Sequence, residues 1–294
     1  MPNLELVKKK DVSNFRKIAI GTWRTAYDPS VYGTMDLKMD RAMDYIRRYR
    51  EATGKHLTVT HLVARGAAEA LRRAPDANAI LRFNRIYLRK RIAVFMQVVM
   101  TDEGDGKVDL SGATIYDVAD KDLGQIIDEV EQKVEVVRQR KDPALEKSRN
   151  IFQYIPYLLL NLFLRFLSFL SSTLNLDLRW MGIPKDGFGS VMITNVGTLG
   201  LDVAYVPLVP WSRVPILLAT GAVQDQAVVE DGEVVVRKIM KVNATFDHRF
   251  IDGFHASVMS GVLREWMENP DECFGPIPGG GQGQPRRGQE FSPT

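Results

Sequence analysis

The stretch "TFDHRFIDGFHASVMSGVLREWMENP", residues 245–270, decides how this chain is read. It gathers His248 and His255, two of the four histidines, around Asp247 and Asp252. Val258, Val262, Leu263 and Trp266 then recur at helical spacing. Asp252 is placed as the N-cap of that helix, because a short carboxylate accepts the orphan amide hydrogens of a first turn.

Working outward, two β-rich runs meet across Asp231-Gly232, a pair suited to the left-handed positions of a tight hairpin. "FGSVMIT" and "PILLATGAV" before them also read as strands, as do residues 80–100. Helices are predicted from Asp40 to Thr53, ended by Gly54, and in "THLVARGAAEALRRAP", ended by Pro75. A third is predicted where Leu123, Ile127, Val130, Val134 and Val137 share a face. Strands mixed with helices and no glycine-rich βαβ start indicate an α/β or α+β layer fold, not a nucleotide-binding one. The last twenty residues are rich in Gly, Pro and Gln and are expected to be disordered.

The bulk properties exclude several classes. A formal charge of +3 with scattered basic residues does not describe a nucleic-acid binder. Cys273 is the single cysteine, so no internal disulfide forms, which suits a reducing cytoplasm. The first residues have no apolar signal core, and a cytoplasmic location is expected.

Four readings compete for the histidine stretch. His248, Asp252 and His255 have the spacing of metal ligands on one helix face, but Asp252-Gly253 reads as a helix entry and puts His248 in the turn before it. A Ser-His-Asp hydrolase would need a nucleophile elbow, and no G-x-S-x-G occurs. A lone histidine could be the base of an acyl transfer that proceeds by direct attack, given a hydroxyl to stabilise the oxyanion. The fourth reading is an ordinary hydrogen-bonded histidine.

Residues 151–174, "IFQYIPYLLLNLFLRFLSFLSSTL", form the most apolar stretch. Wound as a helix, Tyr157, Asn161, Arg165, Ser168 and Ser172 make one narrow polar stripe. The wide apolar remainder, with Phe152, Leu159, Phe163 and Phe166, suits contact with the protein's own core, a neighbouring subunit or a membrane interface. A membrane span is disfavoured by the mid-helix arginine.

The 245–270 stretch closely resembles the signature of the catalytic domain of dihydrolipoyl acyltransferases, the core components of 2-oxoacid dehydrogenase complexes. "GSVMITNVGTLGLDVAYVPLVPWSRVPILLATGAV" resembles the family's preceding strand, glycine turn and proline-containing loop. "NFRKIAIGTW" and "HLVARGAAEALRRAPDANAIL" resemble its N-terminal segments. The resemblance implies a chloramphenicol acetyltransferase-like fold, a homotrimer with sites between subunits, and coenzyme A as acyl carrier, with no metal. It implies His248 as general base, Thr194 as oxyanion donor, and Asp252 as a structural residue paired with Arg16. His248 and Thr194 would then come from different chains.

Three departures shape what is expected. The resemblance begins within about the first ten residues, so no lipoyl-lysine arm is expected in the chain. The acceptor would be dihydrolipoamide, free or on another protein, or something lipid-like. The apolar segment has no counterpart in the family pattern, so the expected organisation is one catalytic domain over 1–274 with an apolar helical insertion at about 145–186 and a disordered tail at 275–294. The polar tail lacks the apolar contacts that build larger cores, so an isolated trimer is expected, in the cytoplasm or at the inner face of the membrane. The expected function is an acyl-CoA-dependent acyltransferase acting on a thiol or hydroxyl. Alternatives are a dehydrogenase-complex core served by a lipoyl domain on another chain, and a catalytically silent trimeric scaffold at a membrane surface.

Overall fold

The alternating and helical patterns resolve into two sheets and a helical layer in the computed structural model, which describes residues 2–10, 29–101, 108–138 and 156–278. The strands are β1 (Leu6–Lys8), β2 (Ser30–Lys38), β3 (Ala79–Arg82), β4 (Arg85–Arg89), β5 (Ala93–Thr101), β6 (Val108–Tyr116), β7 (Val191–Asn195), β8 (Ile216–Glu230) and β9 (Glu233–Asp247). The main helices are α1 (Asp40–Thr53), α2 (Val59–Arg73), α3 (Leu123–Arg138), α4 (Tyr157–Ser168) and α5 (Gly253–Glu268).

Six strands form the main sheet in the order β2-β9-β8-β7-β5-β6, with β7 parallel to both its neighbours and the other pairs antiparallel. A small antiparallel sheet, β1-β4-β3, stands beside it. The long β8–β9 hairpin turns at Asp231 and Gly232, both at positive φ as the turn chemistry requires. One hairpin escaped the sequence reading: the run 80–100 is three strands, and β3 turns into β4 through Phe83 and Asn84, also at positive φ.

One face of the main sheet packs on the helices. Val191, Ile193, Ile216, Leu218, Met240, Val242 and Ala244 alternate onto this face and meet Leu62, Val63, Leu263, Trp266 and Met267 in one core. α2 fits close to α5 because Gly66 carries no side chain: a Cβ there would lie 3.0 Å from Leu263. α1 ends as expected at Gly54, whose φ of 70° lets its amide reach the Arg50 carbonyl.

The apolar stretch is helical over α4 and then widens into a π turn, Phe169–Thr173. Its polar stripe is divided, with Asn161 and Arg165 exposed. Ser168 and Ser172, members of the polar stripe, are 3% and 6% exposed, while Leu162 and Phe166 are 66% and 55% exposed. Ser168 is drawn inward because its hydroxyl accepts a hydrogen bond from Arg213 Nε at 2.9 Å. The wider π turn then breaks the simple 3.6-residue register. Phe152 lies outside the described residues. No helix among the described residues is long and apolar enough to cross a membrane.

Gly275 and Ile277, expected to fall in the tail, are held against the domain. The Gly275 carbonyl accepts a bond from the Tyr45 hydroxyl at 3.1 Å, and Ile277 packs against the core. Tyr45 and Trp266 both lie against the Phe274 ring, which anchors this part of the chain. Residues 279–294 lie outside the described residues.

Candidate active site

The turn from β9 into α5 is fixed before its histidine has any chemical role. Asp247, buried at the end of β9, accepts from the Arg249 amide at 3.0 Å and from its guanidinium at 2.5 to 3.1 Å. Its carbonyl accepts from the Ile251 amide at 3.0 Å, and the Phe250 and Ile251 side chains are buried. Asp252 then caps α5 as expected: its side chain accepts from the Phe254 and His255 amides at 3.1 and 3.2 Å. His255 Nδ1 donates to the same carboxylate oxygen at 2.7 Å and so adds a side-chain bond to the cap. His255 therefore belongs to the helix start.

His248 sits half-buried between these anchors, its amide donating to the Pro29 carbonyl at 2.8 Å. Its ring Nδ1 lies 2.8 Å from the Ile251 carbonyl oxygen. A carbonyl only accepts, so Nδ1 carries the hydrogen, and in the neutral ring Nε2 holds the basic lone pair. Arg16, expected to pair with Asp252, lies outside the described residues. No cluster of three or more metal-ligating side chains occurs among the described residues.

Thr194 stands on β7 between two residues of different duty. Ile193 points into the helical core, so alternation places Thr194 and Met192 on the opposite face. Asn195 Nδ2 donates to the Thr60 hydroxyl on α2 at 3.3 Å, fixing the strand end. The chain then crosses β8 at very close range: a Cβ on Gly197 would lie 2.5 Å from the Gly221 carbonyl oxygen. Gly221 is likewise pressed against the loop, with its Cβ position 2.2 Å from the Asp202 carbonyl oxygen. That loop lies over the Thr194 face, held by the Thr245 hydroxyl on the Val206 carbonyl at 2.8 Å.

The register keeps Thr194 and His248 apart within one chain. Thr194 is level with Ala219 of β8, and Ala219 with Asn243 of β9. His248 follows Asn243 by five residues along β9 and its turn. At ~3.3 Å per residue and ~4.8 Å per strand step, the two are separated by roughly 19 Å. The described chain does not bring these two expected site residues together.

Beside Thr194 on the same face lies a cavity the sequence reading missed. Phe95, Phe188, Met192 and Trp211 converge on it from separate parts of the chain. Spacing along the sequence gave no sign of it, because the ring contacts are set by the order of β5, β7 and the loop before β8.

The description "2-oxoacid dehydrogenases acyltransferase (catalytic domain)" matches residues 7–148 and 186–275, leaving out the apolar segment between. The branched-chain lipoamide acyltransferase component of Pseudomonas putida is 33% identical over 85 residues, which are 29% of this chain and 20% of that protein. The pyruvate dehydrogenase acetyltransferase component of Bacillus subtilis is 32% identical over 81 residues, 28% of this chain and 18% of that one. The chain thus matches about a fifth of the length of these relatives. Among solved structures, the cubic core of the pyruvate dehydrogenase complex superposes with a TM-score of 0.62 at 18% identity, over 90% of this chain and 94% of that one. Azotobacter vinelandii dihydrolipoamide acetyltransferase gives 0.61 at 19% identity with the same coverage. These superpositions establish the shared layered α/β fold, and the two matched blocks span the strands and turn that carry Thr194 and His248. On those grounds the chain belongs to the 2-oxoacid dehydrogenase acyltransferase (catalytic domain) family.

Proposed function

We propose that the chain transfers an acyl group between coenzyme A and a thiol or hydroxyl acceptor by direct attack. The observation that carries the proposal is the 2.8 Å approach of His248 Nδ1 to the Ile251 carbonyl, which leaves Nε2 as the basic atom. His248 Nε2 takes the acceptor's proton as its sulfur or oxygen attacks the thioester carbonyl. The Thr194 hydroxyl donates to that carbonyl oxygen as it becomes an oxyanion. His248 returns the proton to the sulfur of the departing thiolate, so the chain ends unmodified. Asp252 holds the turn and is not itself a proton carrier.

The separation of roughly 19 Å between Thr194 and His248, from strand geometry, favours a site completed by a second copy. A homotrimer, with His248 of one subunit facing Thr194 of the next, is the assembly this reading takes. The family match breaks at residues 148 and 186, which supports one catalytic domain interrupted by an apolar insertion. Leu159 and Phe166 on the outer side of that insertion are exposed, and Phe163 is half-buried. This face would meet membrane lipid peripherally, holding the protein at the inner side of the membrane. Sedimentation with liposomes, lost on changing Leu162 and Phe166 to Asp, tests that contact.

The test of the reaction is release of free coenzyme A from acyl-CoA with dihydrolipoamide or a lipid extract as acceptor. Release should vanish in His248→Ala and fall by about a hundredfold in Thr194→Val, the scale of one oxyanion donor. Use of dihydrolipoamide borne on another protein would favour a dehydrogenase-complex core. No release from any donor by an intact trimer would leave the silent scaffold.

A further inference from the structure

The Thr194 face of the main sheet opens onto a cavity of about 770 Å³, apolar where Phe95, Phe188, Met192 and Trp211 meet and polar towards Arg89, Lys133 and Asp186. Phe95 of β5 and Met192 of β7, partners in register, form its floor. The Phe188 ring lies 5.4 Å from that of Phe95 and 4.7 Å from that of Trp211, meeting the indole edge-on. Leu167 and Val209 complete the wall. Gly112 of β6 gives the floor its depth, because a Cβ there would fall 2.0 Å from the Phe95 ring.

Leu167 belongs to the segment that the family match leaves out. The described part of that segment is tied down at several points after Leu167. Asn3 donates to the Ser171 carbonyl at 3.2 Å, Arg82 to the Thr173 carbonyl at 2.9 Å, and the Tyr116 hydroxyl to the Lys185 carbonyl at 2.7 Å. Several polar groups of the lining are engaged with one another or elsewhere: Ser168 with Arg213, the Thr114 hydroxyl with the Gly187 carbonyl, Arg89 with Asp186, and Lys133 with Glu129.

We propose that this chamber receives the aliphatic chain of the transferred acyl group, so that the enzyme prefers medium or longer acyl thioesters over acetyl. Met192 and Thr194 share one face of β7 and stand ~6.6 Å apart along the strand. A thioester carbonyl held at the Thr194 hydroxyl would lead its chain onto Met192 and then Phe95. The inference rests on the acyltransferase reading for the position of the carbonyl. Each methylene that leaves water for such a chamber favours binding by about fourfold.

The test reads binding without turnover. Octanoyl-CoA and acetyl-CoA are titrated calorimetrically into the full-length His248→Ala protein. The octanoyl thioester should bind at least about tenfold more tightly. Val209→Trp, which fills the chamber, should abolish that ratio, and Leu167→Ala, which enlarges it, should move the preference toward dodecanoyl-CoA. Equal affinities for the two thioesters, or a ratio that neither variant changes, would overturn the proposal. Failure of the two readings is separable. Wild-type protein that releases no coenzyme A but keeps the chain-length ratio loses the reaction and keeps the chamber. Turnover with a flat chain-length profile keeps the reaction and loses the chamber.

Discussion

His61 should make the stability of this protein fall steeply with acid. It occupies the third position of α2, where its Nδ1 accepts from the Thr58 amide at 3.1 Å and lies 3.0 Å from the Thr58 hydroxyl. The ring is buried, and burial, helped by the nearby positive groups of His56 and Arg50, pushes its pKa down to about 4. In the unfolded chain it returns to its ordinary value of 6.5. Between those values the unfolded state binds the proton and the folded state does not, so stability drops as pH falls through this window. Over two and a half pH units the loss approaches about 3 kcal/mol. His61→Gln keeps an acceptor for the Thr58 amide, since glutamine serves the same capping position, but it does not titrate. Urea unfolding at one fixed protein concentration, from about pH 7.5 to about pH 4, measures both proteins. Wild type should lose about 3 kcal/mol more than the variant over that range. Parallel pH profiles for the two would refute the reasoning.

Two further predictions concern the parts that position the candidate site. Asp252→Ala removes the acceptor for two α5 amides and should cost about 1 to 2 kcal/mol in urea unfolding, while Asp252→Asn should recover most of it. Gly221→Ala forces a Cβ into the Asp202 carbonyl beside the Thr194 face; a loss of about 1 to 3 kcal/mol is expected in the same assay, and an unchanged midpoint would mean the loop does not press there.

Local chemistry made much of this fold legible. The 3.6-residue spacing identified α1, α2, α3 and α5, the Asp231-Gly232 pair identified the long hairpin, and Asp252 identified the start of α5, since each signal lies within a few residues of what it determines. The strand order was not legible, because β5, β7 and β8 are parallel neighbours separated by long connections. What the broad apolar face of α4 meets was not legible either: Arg213 draws Ser168 inward while Leu162 and Phe166 stay exposed, and the polar stripe alone does not set that choice. His248 and Thr194 were identified through the family resemblance and not from spacing. The Asp247–Arg249 pair beneath His248 had no sequence signal beyond its two charged letters. The aromatic part of the cavity was invisible because Phe95, Phe188 and Trp211 come from three separate places along the chain.

The central claim is that His248 and Thr194 act across a subunit boundary. Mixed trimers of His248→Ala and Thr194→Val subunits, refolded together from equal amounts, test it directly by coenzyme A release. Each variant alone should be nearly inactive. In a closed ring with random mixing, an intact site forms wherever a subunit with wild-type His248 faces one with wild-type Thr194, so roughly a quarter of the wild-type rate should return. A mixture no more active than its parents would place both residues in one chain's site and contradict the account.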